Sequence, residues 1–458
     1  MSTPQNGPEA TPSPTGTYVP AKKDLYKAFA ASLSGTTLEW YDFAVYSVSS
    51  ALILGQLFFP ASDPYAATIA AFSTYAVGYI SRPLGGIVFG RLGDIIGRKK
   101  VLVATLLLIG ISTFLIGLLP TYHSIGITAA VLLVILRFAQ GVGVGGEWGG
   151  AVLLSSEFGD PNKRGFWASA AQIGPPAGNL MANGVLVGLT MALSEDAFYS
   201  WGWRITFLLS LALVGFGLWI RLKLEDTPIF QSLQDKGDRA ERPITEVFTT
   251  QRRQLTAAVL SRIGPDVFYA LYTVFILSYS VQREGLSNST VLSAVLFGSA
   301  SQIITIPLAG WLSDLFNRRL VYATGAVIAA IWAFLLFPTI HSAPFWVLAL
   351  SMVVAGTCHS LMYGPQAAFV IEQFHPRLRY TGASLAYTFA GVLGGALAPL
   401  MFTVLAGRDQ NFVPVATYVT IACVLTLVGL ALGRNSVPAE DLQYLQQSTG
   451  SDNETHAN

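Results

Sequence analysis

The chain has 458 residues, 52% apolar and only 12% charged, with 27 basic against 26 acidic side chains. Soluble domains carry about a quarter charged residues, so this composition and a mean hydropathy of +0.52 exclude an ordinary water-facing fold. They also exclude a disordered chain outside the termini. The cysteine pair Cys358 and Cys423 excludes a disulfide scaffold, and the lack of a basic excess excludes nucleic-acid binding.

Residues 1–27 are polar, rich in Pro, Thr and Gly, and read as a tail without the apolar core of a secretory signal. Twelve apolar segments follow, at about 30–57, 65–90, 101–119, 124–150, 166–193, 203–221, 255–280, 289–312, 319–339, 344–371, 382–406 and 412–433. Each approaches the roughly 20 residues a helix needs to cross a bilayer. They are continuously apolar, unlike the alternating strands of a membrane barrel. The expected fold class is therefore all-α and polytopic, with twelve transmembrane helices. A polar stretch at 222–254 divides residues 28–221 from 255–433, giving two six-helix bundles, and 434–458 form a second tail. Most Lys and Arg residues fall in alternate connections, including Arg91, Arg98, Lys163, Arg239, Arg318, Arg377 and Arg434. The positive-inside rule places that face, and both termini, in the cytoplasm of a plasma-membrane protein.

The halves repeat. Gly90-Arg91-Leu92-Gly93-Asp94 and its continuation to Lys99 join segments 2 and 3. Gly310-Trp311-Leu312-Ser313-Asp314 and its continuation to Arg319 join segments 8 and 9. A second echo pairs Glu157, Pro161, Arg164 and Gly165 with Glu372, Pro376, Arg379 and Gly382. Such duplication implies pseudo-symmetric bundles with any substrate path between them.

The Gly-x-Leu-x-Asp-x-x-Gly-Arg-Lys loop ending at Lys99 resembles the signature of the major facilitator superfamily of transporters, and 137–143 resembles its fourth-helix motif. Gly35-Thr36-Thr37-Leu38-Glu39-Trp40-Tyr41-Asp42-Phe43, 81–86, 145–150 and 362–367 resemble the metabolite:proton symporters, and the wording is similar to a shikimate-transporter-like branch. The resemblance spans about 28–433. It implies a monomeric secondary transporter that imports a small organic acid with a proton, by alternating access, without a further cofactor. Proline/betaine symport and export by proton antiport are the alternatives it leaves. The short tail after segment 12 lacks the sustained heptads of an osmosensing coiled coil. Asn317 replaces a signature Gly, and Asn tolerates a left-handed backbone there.

Charges inside apolar segments are expensive and point to function. Glu39 and Asp42 lie three residues apart near the midplane of segment 1, with Arg82 and Arg137 as expected ion partners. Burial raises a carboxyl pKa and a nearby Arg lowers it. A carboxyl released from an Arg would thus take up a proton, so Glu39, Asp42 and Glu147 are expected to couple proton movement, and the resemblance implies that Arg137 belongs to the same proton-linked network. Arg82 and Arg262 can grip an anion through their planar forks. Asp266 stands one turn from Arg262, where it also forms a self-neutralising pair. Tyr269, Gln302, His359, Tyr363, Gln366 and Tyr387 complete the expected substrate-binding set. Asp94, Arg98, Glu157 and Arg164, with Asp314, Arg318, Glu372 and Arg379, are expected to form a cytoplasmic gate. Gly174-Pro175-Pro176-Ala177-Gly178 is expected to interrupt segment 5. No Cys/His metal spacing, P-loop or nucleophile elbow is present, so no metal and no enzyme is expected. The partners are a small molecule, a proton and the bilayer.

Overall fold

The computed structural model describes residues 22–60, 64–96, 98–145, 152, 163–223, 243–375 and 378–434. Within them, the side chains of 22–32, 90–91, 93–102 and 220–223 lie outside the described set. Twelve long helical units run through it. They are α1 (Lys22–Leu52), α2 (Pro64–Ile80, joined at Ser81 to Arg82–Ile96), α3 (Arg98–Leu118), α4 (Ile127–Val144), α5 (Arg164–Ala192) and α6 (Trp203–Lys223). The second half holds α7 (Arg252–Ala270 through Leu271–Phe275 into Ile276–Glu284), α8 (Asn288–Leu315) and α9 (Arg318–Ile340). It ends with α10 (Phe345–Glu372), α11 (Arg379–Ala390 through Gly391–Ala396 into Ala398–Ala406) and α12 (Phe412–Leu432). Lipid offers backbone groups no partner, so spanning segments satisfy them internally as helices. The fold is all-α and polytopic, as expected. Over the described residues, α4 and α6–α12 are long and apolar enough to cross a membrane by length and composition alone.

The halves meet along α5 with α8 and α10, α2 with α11, and α1 with α7. Small residues permit these approaches, as is usual between membrane helices. Methyl groups added at Gly165 and Gly310 would each run into the other helix's backbone across the α5–α8 contact. Within the first half, Gly85 and Gly145 let the α2 and α4 backbones touch.

Two expectations change. The Pro175-Pro176 pair does not interrupt α5, which runs unbroken across it. Gly174 and Gly178 press that stretch against α1 at Thr36 and Tyr41, and this packing holds the helix together. Asn317 is not left-handed: its φ is −96°, and it caps α9 by accepting the Arg319 and Leu320 N–H groups at 2.9 and 3.4 Å. The turn needs a cap rather than a glycine. By contrast, α11 does loosen at its glycines, in the π-type turn Gly391–Ala396.

Candidate functional site

The central layer is built from α1, α2, α4 and α5 on one side and α7, α8, α10 and α11 on the other. Glu39 and Asp42 are both buried, 4% and 3% exposed. Their side chains diverge. Asp42 turns into its own bundle, where the Ser210 hydroxyl of α6 donates to Oδ1. Glu39 acts electrostatically on Arg82 and on Tyr387 of α11. The expected Arg–carboxylate pairs of α1 are absent: among the described residues, no carboxylate forms an ion pair with Arg82 or Arg137. The reason is that both guanidiniums lie over aromatic rings instead. Arg82 Cζ stands 4.0 Å from the Tyr79 centroid and 4.6 Å from Phe43. Arg137 Cζ stands 4.0 Å from Tyr46 and 4.4 Å from Phe43. Arg137 Nη1 also donates to Gln140, whose amide donates to Thr113 Oγ1 at 2.8 Å and to the Asp42 carbonyl at 3.3 Å. Nε of Arg82, and Nε and Nη2 of Arg137, are buried without a hydrogen-bond acceptor.

Gly78 leaves room for Arg137, because a methyl group there would overlap the guanidinium. Overpacking of this kind costs about 1–3 kcal/mol. Gly78→Ala is expected to lower transport by about 10- to 100-fold while membrane yield stays normal, measured as uptake per immunodetected protein.

The second half is self-paired. Arg262 Nη2 donates to both Asp266 oxygens at 2.9 and 3.1 Å, which is the internal i,i+4 pair the spacing allowed. Arg262 Nη1 reaches Gln366 Oε1 at 3.3 Å, and its Cζ lies 4.2 Å from the Tyr387 ring. Gln366 Nε2 donates to Tyr322, while Gln172 of α5 donates to Gln366 at 3.2 Å across the bundle boundary. Gln302 bridges Tyr272 and His359 Nδ1 at 2.8 and 2.7 Å. His359 stacks on Tyr363 at 4.7 Å and tilts against Tyr269 at 5.2 Å. The expected binding residues therefore gather around one centre.

A small cavity opens there, lined by Trp40, Phe43, Ala44, Ser47, Tyr75, Asn179, Tyr269 and Val274. Of these, only Tyr269 was expected. Phe43, Tyr75 and Tyr79 could have been suspected from their i,i+4 spacing to Glu39 and to each other.

At the basic-loop end, Asp314 reaches across the halves. Its carboxylate accepts the Gly165 and Phe166 N–H groups at 2.8 and 2.9 Å, at the start of α5. Arg318 pairs with Asp314 at 2.8 Å and with Glu372, and Arg164 lies 3.9 Å from Glu372. Arg379 Nε donates to the Ile371 carbonyl at 3.1 Å. Of the other gate and coupling residues, Glu147 and Glu157 lie outside the described residues, as do the side chains of Asp94 and Arg98. At the opposite end, Gln282 of α7 donates to Thr68 of α2 at 3.1 Å, and Asn288 to Tyr199 at 3.4 Å. The halves thus touch on both sides of the cavity.

Comparison with known proteins agrees with this architecture. Residues 29–399 match the family model of the Major Facilitator Superfamily. The shikimate transporter of Escherichia coli K12 is 36% identical, covering 90% of this chain and 94% of that protein. The proline/betaine transporter of the same strain is 33% identical, covering 88% and 82%. The fold is similar to a partially occluded inward-open xylose transporter XylE from E. coli, with a TM-score of 0.69 at 18% identity, covering 90% and 97%. The chain is a multi-pass membrane transporter, not an enzyme, and belongs to the major facilitator superfamily.

Proposed function

We infer that the protein imports a small organic acid, of the shikimate class, together with a proton. It works as a monomer with both termini in the cytoplasm. One observation carries this reading: two buried carboxyls on α1 share the central layer with two buried arginines that form no ion pair with any described carboxylate, next to a cavity between the halves. A substrate carboxylate entering from the cavity finds a planar guanidinium fork. Glu39 and Asp42 exchange a proton as the halves rock about the cavity. Proton and anion then cross as a neutral pair, which avoids moving net charge through a low-dielectric layer. The shikimate-transporting relative supports the substrate class. A second reading, a betaine-like zwitterion, is favoured by the four aromatic rings lining the cavity, since such rings bind alkylated ammonium groups.

Uptake of labelled shikimate into energised vesicles is expected to fall to the equilibrated level when a protonophore is added. Concentrative uptake that survives the protonophore rules out proton coupling. Competition by betaine but not by organic acids would favour the second reading.

A further inference from the structure

Phe43 carries no polar atom, yet both of the first half's buried central cations meet at its ring. The Arg82 and Arg137 Cζ atoms lie 4.6 and 4.4 Å from its centroid. Tyr79 and Tyr46 each hold one of the two more closely, at 4.0 Å, but Phe43 is within 5 Å of both. The guanidiniums repel one another, so a shared ring, negative on its faces, opposes their separation. A cation over a ring is also held less directionally than one forked onto a carboxylate. It can be released to an arriving anion without breaking a bidentate pair.

The same ring lines the cavity. It packs edge-on to Tyr79 at 4.9 Å and touches Trp40 and Tyr75 at 5.5 Å. In sequence it follows Asp42 directly and stands one helical turn from Glu39. We propose that Phe43 is the positioning residue of this site: it holds Arg82 and Arg137 as a pair and passes occupancy of the cavity to them. A molecule in the cavity presses on the ring, and displacement of the ring changes both cation distances at once. That alters the field at Glu39, which is coupled to Arg82. The transport part of this inference rests on the symport reading above; the hold on the two cations rests on geometry alone.

The test replaces Phe43 by 4-fluoro-, 3,5-difluoro- and 3,4,5-trifluorophenylalanine. Fluorines drain negative potential from the ring face with little change in size. The first readout is the melting temperature of substrate-free protein in detergent. It is expected to fall stepwise, by roughly 1 °C per fluorine, and with about half that slope in an Arg82→Met background. A flat series, or a slope indifferent to Arg82→Met, overturns the proposal, because packing alone would give either. Should Arg82→Met fail to fold, the same fluorination series at Phe268, a fully buried ring with no guanidinium over it among the described residues, makes the same distinction: its melting temperature is expected to stay flat while the Phe43 series falls, and equal slopes overturn the proposal.

The second readout is shikimate accumulation driven by a pH gradient, against counterflow exchange without one. In the trifluoro variant, accumulation is expected to drop about tenfold, and exchange is expected to fall as well but by a smaller factor. Wild-type accumulation in that variant overturns the coupling role. Failure of the symport reading itself shows separately, as protonophore-resistant uptake by the unmodified protein, and the melting series still decides what holds the arginines.

Discussion

Asp42→Asn is expected to leave the protein in the membrane and exchanging substrate, while abolishing its ability to concentrate that substrate. The asparagine keeps the shape and an oxygen for the Ser210 hydroxyl, which donates to Asp42 Oδ1, so the α1–α6 contact survives. What it lacks is a proton to gain and lose. One pH unit is worth about 1.4 kcal/mol per proton, so a one-unit gradient drives roughly tenfold accumulation of a monoanion that moves with one proton. In Asp42→Asn the ratio is expected to fall to about one, with counterflow retained. Glu39→Gln is expected to differ, because Glu39 acts on Arg82 and Tyr387 at the boundary between the halves. It should change the apparent affinity for the acid as well as accumulation. Normal accumulation in both variants would place the proton elsewhere.

Asp314→Ala is expected to open the basic-loop end. One carboxylate holds the second and third backbone N–H groups of α5, those of Gly165 and Phe166, and also pairs with Arg318. Negative charge at a helix N-terminus is favourable in itself, and hydrogen bonds to a charged group contribute about 1.5–3 kcal/mol each. Loss of about 3 kcal/mol from the closed arrangement corresponds to roughly 100-fold in its equilibrium with an open one. The readout is thiol labelling of Ser169→Cys, in a background without Cys358 and Cys423. Ser169 is fully buried one turn beyond the contact. Labelling from the basic-loop side is expected to accelerate by one to two orders of magnitude. An unchanged rate would mean that Asp314 holds no gate closed.

The helices were legible because length and apolarity are local properties, and the signature loops mark the duplication. Arg262–Asp266 was equally legible, since a four-residue spacing brings two charges together whatever surrounds the helix. Partners across helices were not. Three residues on a helix differ by about 60° in direction, which is enough to send Asp42 to Ser210 on α6 and Glu39 toward Arg82. Nothing in the chain fixes how α1 is rotated against its neighbours. How the gate residues pair was hidden for a related reason. The repeated loops suggest one charge cluster in each half, whereas Asp314 of the second half caps α5 of the first. Aromatic residues in an apolar segment read as packing, so Phe43, Tyr75 and Tyr79 gave little signal until the rings were seen beneath the arginines.

The π-type turns at Leu271–Phe275 in α7 and Gly391–Ala396 in α11 bear on how this architecture tolerates a change in length. Such a turn takes in one residue more than an α-helical turn of the same span. Deleting one residue elsewhere in a spanning helix would swing everything beyond it by about 100°, carrying buried groups to the lipid face. Inside these two turns, the same deletion lets the backbone relax to an ordinary α-helix while both flanks keep their neighbours. Single-residue gaps among homologous chains should therefore collect at these two places and at the like turn Phe198–Gly202 that leads into α6, which act as expansion joints in helices that otherwise accept no change of length.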